Sequence, residues 1–238
     1  MNAYKFLGPG GRGLYSGFRW PAPRNGDPGH WVEVQGKLEP GSNGVHALRT
    51  RRLVDWIDDE LWLVELADDV EEVDDMLVAR RGRLLRRIRA WDEDAAREFG
   101  ESCIWRARDL AAESLERAGL KRERAALQTA DGLGSLQAIA AGEALSATGA
   151  AADALVYLAD VVQVSRGGWF EIYVGHPGAG TTATPGATAA NIGFVVATAA
   201  GSAAADAARR PDAFDDGWDA ERGRQLAWLA ERLDLDEL

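Results

Sequence analysis

Cysteine and histidine are scarce in this chain: 238 residues hold one cysteine and three histidines. The lone Cys103 excludes an intrachain disulfide and a cysteine-built zinc site, and within a helix-like run it reads as a small buried hydrophobe. His30, His46 and His176 are scattered and form no His-x-x-x-His pair, so the histidines carry no metal signature, and nothing specifies a carboxylate-held magnesium site. No apolar run reaches the roughly 18 residues of a membrane span, and no apolar signal-like stretch follows Met1. These gaps lead us to expect a soluble, cytoplasmic protein that does not enter a membrane. A complete catalytic set is also missing, so the leading expectation is a non-catalytic protein with no cofactor.

What is present divides near Trp91. Before it the sequence is rich in glycine, tryptophan and strand-like alternation; after it, alanine and acidic residues run at helical spacing. With 46% hydrophobic and 27% charged residues the composition is that of a folded globular chain, long enough to bury a core without staples. The net charge of −11 lies entirely in the second part: residues 1–90 carry 14 acidic and 14 basic side chains, the remainder 24 and 13. That excess argues against phosphate contacts by the helical part. In the first part an acidic run from Asp68 to Asp75 precedes a basic run from Arg80 to Arg89, and the two are expected to pair with each other. No aromatic residues alternate with these arginines as in single-strand binding platforms, so nucleic acid is not the expected partner.

The periodicities predict an α+β fold: a small N-terminal domain of mixed strands and helix over 1–91, then an alanine-rich helical bundle over 92–238. Strands are expected at Tyr4–Leu7, Trp31–Val34 and Leu61–Leu66, with Met76–Ala79 and the run from Leu84 to Ile88 forming a pair around Gly82. Gly17 to Trp20 should be extended ahead of Pro21 and Pro23. Leu48–Ile57 reads as a helix capped by Thr50. Asp92 should cap a helix that ends at Gly119, and further helices are expected at 121–130, 133–147, 150–164, 187–209 and 218–234. Between the helices expected at 150–164 and 187–209, Trp169–Val174 has strand composition and a Gly/Thr/Pro-rich loop follows near 175–186.

The compact motif Gly44-Val45-His46-Ala47 can aim an imidazole into a cleft, where it would act as a base or a hydrogen-bonding group. Tyr4, Lys5, Ser16, Arg19, His46 and Glu65 lie in or beside the expected strands, and of these Tyr4, Arg19, His46 and Glu65 are the ligand-binding candidates. Their order bears a loose likeness to that of ADP-ribosyltransferases. That likeness implies an alternative NAD-handling enzyme, with Arg19 or His46 orienting the dinucleotide and Glu65 stabilising a cationic ribosyl centre. Gly175–Thr182 is superficially similar to a phosphate-binding loop, but Thr181 stands where the lysine is needed and Pro177 removes an amide donor.

Four elements, Tyr4-Lys5, Gly17-Phe18, Gly44-Val45-His46-Ala47 and Leu61-Trp62-Leu63-Val64-Glu65, give residues 4–91 a resemblance to an uncharacterised domain of actinobacterial and phage proteins with a Gly-(Phe/Ile/Val)-His-Ala motif. The resemblance implies a shared fold and a role for His46. It supplies no reaction, and Leu48 stands where many relatives have cysteine. Asp219–Arg222 and Gln225–Ala230 resemble alanine-rich putative immunity proteins. That likeness implies protein binding or self-association through the helical half, in immunity or phage conflict.

Overall fold

The computed structural model describes residues 1–73, 76–144, 147–166 and 184–235. It is an α+β protein, in which an N-terminal antiparallel sheet of seven strands is followed by helices. The strands are β1 (Asn2–Leu7), β2 (Val32–Glu33), β3 (Val45–Leu48), β4 (Glu60–Ala67), β5 (Glu71–Val73), β6 (Met76–Ala79) and β7 (Arg81–Arg87), ordered β2-β7-β4-β1-β3-β6-β5. β1 is central and buried on both faces, which explains why its sequence is a nearly continuous apolar run interrupted by Lys5.

The sheet curls on itself. β6 is next to one edge and β7 next to the other, yet only Arg80 separates them in the chain, so the two flanks must meet there. At this corner Arg80 is bonded beyond the ends of both neighbours of β7: its N–H donates to the Asp68 carbonyl at 3.0 Å, after β4, and its carbonyl accepts from the Val34 N–H at 3.0 Å, after β2. Gly82 of β7 confirms the curl, because a Cβ there would lie 2.5 Å from Val45 Cγ1 of β3, on the opposite flank. Inside the curl sit Ala3, Leu7, Val45, Ala47, Val64 and Leu84, with Trp20 and Trp62.

Two local expectations need correction, and one strand was not expected. Met76–Ala79 and the strand after it both form, but they do not pair with each other: β6 pairs with β3 and β5, and β7 with β4 and β2. Glu71–Val73, within the acidic run, is a strand; it lies at the sheet edge with all three residues exposed, where charge discourages further pairing. Leu48 belongs to β3, held between Tyr4 and Met76, and only Thr50–Trp56 coils, as a 3-10 helix preceded by Arg49 without a side-chain cap. Sheet pairing outweighed the helical spacing of Leu48 and Leu53. The 3-10 turn still buries Leu53 and Val54.

Six helices follow among the described residues: α1 (Glu93–Arg117), α2 (Lys121–Gln128), α3 (Leu133–Ala144), α4 (Ala150–Ser165), α5 (Pro185–Ala208) and α6 (Ala213–Leu233). Asp92 caps α1 by accepting the Ala95 N–H at 2.9 Å, and Gly119 sits beyond its end at φ 77°. α6 begins five residues earlier than expected. The strand expected at Trp169–Val174 and the loop from 175 to 183 lie outside the described residues, and Pro185–Gly186 is the start of α5 instead of a loop. By length and composition Pro185–Ala208 passes for a membrane span, but 56% of its most apolar window is buried, as in the core helix of a soluble protein.

Contacts divide the chain into two compact units. One comprises Met1–Arg97 with the described parts of Gly175–Ala190 and Leu226–Leu238; the other comprises the described parts of Glu98–Val174 and Asn191–Gln225. The boundary thus falls inside α1, beyond the change of composition at Trp91. Within the second unit α3 packs along α4, and glycine lets α5 and α6 approach closely: a Cβ on Gly217 would meet Ala204 Cβ at 2.6 Å.

Candidate functional site

His46 is placed by β3, and its neighbours explain its motif. A Cβ on Gly44 would collide with Val78 of β6, so only glycine lets the chain enter the strand here. The imidazole turns back over its own loop, where Nε2 accepts the Gly41 N–H at 2.9 Å. That acceptor role puts the ring proton on Nδ1 and the ring in its neutral form. Its pKa is lowered first by burial and then by the charge of Lys5, against an opposing pull from the carbonyls of Gly44 and Glu39. Asn43 completes the loop by donating to the carbonyls of Gln35 at 2.9 Å and Lys37 at 2.8 Å.

Lys5 faces this loop from β1. On the β4 side β1 is paired from Asn2 to Leu7, whereas on the β3 side its pairing is confined to Tyr4↔Leu48. Beyond that pair the two strands part. The His46 carbonyl, which a continuing ladder would engage, instead accepts from Lys5 Nζ at 2.6 Å. The ammonium also lies over the Trp20 ring, 5.3 Å from its centroid. Although the residue keeps some accessible surface, burial of the amine lowers its pKa to about 8.

Where the strands part, a cavity of about 390 Å3 opens. Its walls include the aromatic rings of Phe6, Tyr15, Phe18, Trp20 and Trp56 among aliphatic residues, and Lys5 and His46 supply polar groups. Tyr15 packs edge-on to Trp56 at 5.3 Å, and Phe18 edge-on to Trp20 at 6.0 Å. Tyr15 and Phe18 are themselves half exposed, at 54% and 46%. They form an apolar rim open to solvent.

Of the residues singled out by sequence, Lys5, Ser16 and His46 line the cavity, while Tyr4, Arg19 and Glu65 do not. Tyr4 is buried in the core at 1% exposure. Arg19 bridges to Arg12 in an extended segment. Glu65 is bound to Arg83 at 2.6 Å, and that guanidinium lies 4.5 Å from the centre of the Trp31 ring. Three other arginines of the basic run also meet acidic partners, Arg80 with Asp69 at 2.8 Å, Arg81 with Asp68 at 3.1 Å and Arg87 with Glu60 at 3.4 Å. Lys5 matters more here than its place among several polar candidates suggests. The available signal is a lysine in the apolar alternation Ala3-Lys5-Leu7, in a chain whose 27 basic residues include only three lysines, Lys5, Lys37 and Lys121.

Elsewhere in the first unit, burial raises the Asp58 carboxyl to about pKa 7. Asp59 accepts the Gly186 N–H at 2.9 Å at the start of α5. In the second unit Glu221 is buried and bound to Arg224 at 2.6 Å and to Gln225 at 3.0 Å, while burial pushes the Cys103 thiol up to about 12. No group of His, Cys, Asp and Glu among the described residues is placed to hold a metal ion. Compared with known proteins, the chain matches no family model, no curated protein and no solved structure.

Proposed function

We propose that the N-terminal unit is a ligand-recognition module that takes one small, largely apolar molecule into the cavity between β1 and β3. The observation that supports this most is the pairing of an aromatic enclosure with a single desolvated ammonium at Lys5. Such a site gains its affinity from apolar burial and its orientation from one polar contact. His46 builds the wall and does no chemistry, because its one acceptor nitrogen is held by Gly41. In this reading the chain is a soluble cytoplasmic protein, a reducing setting that suits one buried thiol.

Calorimetric titration with 2-naphthalenemethanol, a flat apolar molecule with one hydroxyl, tests the reading. Saturable binding by the full chain is expected, and Val34→Trp, which fills the cavity from the residue just after β2, should abolish it without loss of thermal cooperativity. Absence of binding by the unaltered protein up to the solubility limit would overturn it.

A further inference from the structure

The polar contact at Lys5 has a more specific chemical reading, which rests on the ligand-recognition proposal. We propose that Lys5 captures a small aromatic or apolar aldehyde or ketone as an imine, so that the cavity takes a carbonyl compound.

One geometric observation and two chemical arguments support this. First, Lys5 lines the cavity, and its Nζ is restrained by the His46 carbonyl at 2.6 Å and by the face of Trp20. Fixing the nucleophile in an enclosed site removes much of the entropy that opposes a bimolecular addition. Second, a neutral amine keeps a hydrogen to donate to His46 while its lone pair stays available. Third, the basic side chain at this position is one that can lose its proton; arginine, which supplies 24 of the 27 basic residues, cannot. The titratable side chains sharing the cavity wall are His46, Tyr15 and Glu33. His46 is neutral, and Glu33 is exposed on β2, where water screens its charge.

The step balances without an oxidant or reductant. The Lys5 lone pair forms a bond to the carbonyl carbon as the C=O π pair moves to oxygen, and one proton passes from nitrogen to that oxygen to give a carbinolamine. The hydroxyl then departs as water, nitrogen gives up its second hydrogen as a proton, and a C=N bond remains. Lowering of the amine pKa by burial increases the neutral fraction near pH 7 over that of a surface lysine by a few hundredfold.

Only two other lysines, Lys37 and Lys121, are present, and both are exposed, so selectivity can be read directly. The full chain is incubated at pH 7 with 2-naphthaldehyde and sodium cyanoborohydride, and the reduced secondary amines are located by peptide mass spectrometry. Lys5 should be labelled at least tenfold faster than Lys37 and Lys121, and excess 2-naphthalenemethanol should suppress labelling at Lys5 alone. Lys5→Arg removes the amine, so no adduct should form at position 5 while labelling of Lys37 and Lys121 stays as in the parent. Labelling of Lys5 no faster than the others overturns the imine step. Continued binding of the alcohol in that case leaves the recognition reading intact, whereas failure of the alcohol to bind removes that reading by itself.

Discussion

A buried titratable group declares its environment through the pH at which it changes stability, and two residues here do so in opposite directions. Asp58 is 7% exposed and its carboxyl is raised to about pKa 7, first by burial and then by the neighbouring charges of Asp59 and Glu60. Its ionised form is therefore disfavoured by folding. Stability from this group is full below the unfolded value near 3.8 and falls as pH rises towards 7. Asp58→Asn keeps an oxygen for the Asp59 N–H and should flatten that decline, giving a higher melting temperature than the parent at pH 8 and little difference at pH 4. Lys5 behaves oppositely: its charged form is the disfavoured one, so stability should recover as pH climbs from about 8 to the unfolded value of 10.5. His46→Ala removes the acceptor of Gly41 N–H and should cost about 1 kcal/mol in denaturant unfolding, with faster amide exchange at Gly41. His46 was legible in the sequence because Gly44 and Asn43 announce special backbone before a strand. The weight of Lys5 was hidden, since it depends on where β1 and β3 cease to pair, and no local pattern encodes that.

Elements were read well where one segment decides its own state. The limits of α1 follow from Asp92 and Gly119, and α4 from its apolar stripe. They were misread where a partner decides. β5 exists because β6 offers it an edge, and β6 and β7 choose different partners because the sheet curls. Helix α6 provides a test of the same principle within one element. At Gly217 a new Cβ would meet Ala204 Cβ at 2.6 Å and the Ala200 carbonyl at 2.7 Å, whereas at Gly223 it would meet nothing within 4 Å. Gly223→Ala should therefore stabilise the protein by up to about 1 kcal/mol through helix propensity. Gly217→Ala should destabilise it, because overpacking of about 1–3 kcal/mol exceeds that gain. Chemical denaturation of the two variants should show shifts of opposite sign.

For the whole molecule, the α+β class and the change from strands to helices were visible in composition and period, but the closure of the sheet was not. Closure depends on the one-residue corner at Arg80 and on the absence of a side chain at Gly82. Gly82→Val should force Val45 aside and cost about 1–3 kcal/mol, measurable as a lower denaturation midpoint. The division into units was also only partly legible. Alanine-rich sequence begins after Trp91, yet α1 continues past the contact boundary, and described parts of 184–190 and 226–235 group with the sheet. The separation of β1 from β3 has a kinetic consequence for the whole fold. Because the ladder already stops at Tyr4↔Leu48, a molecule arriving between Tyr15 and Phe18 breaks no interstrand hydrogen bond on its way in. Arrival should then be governed by encounter alone, and differences among ligands should be expressed in how long each one stays.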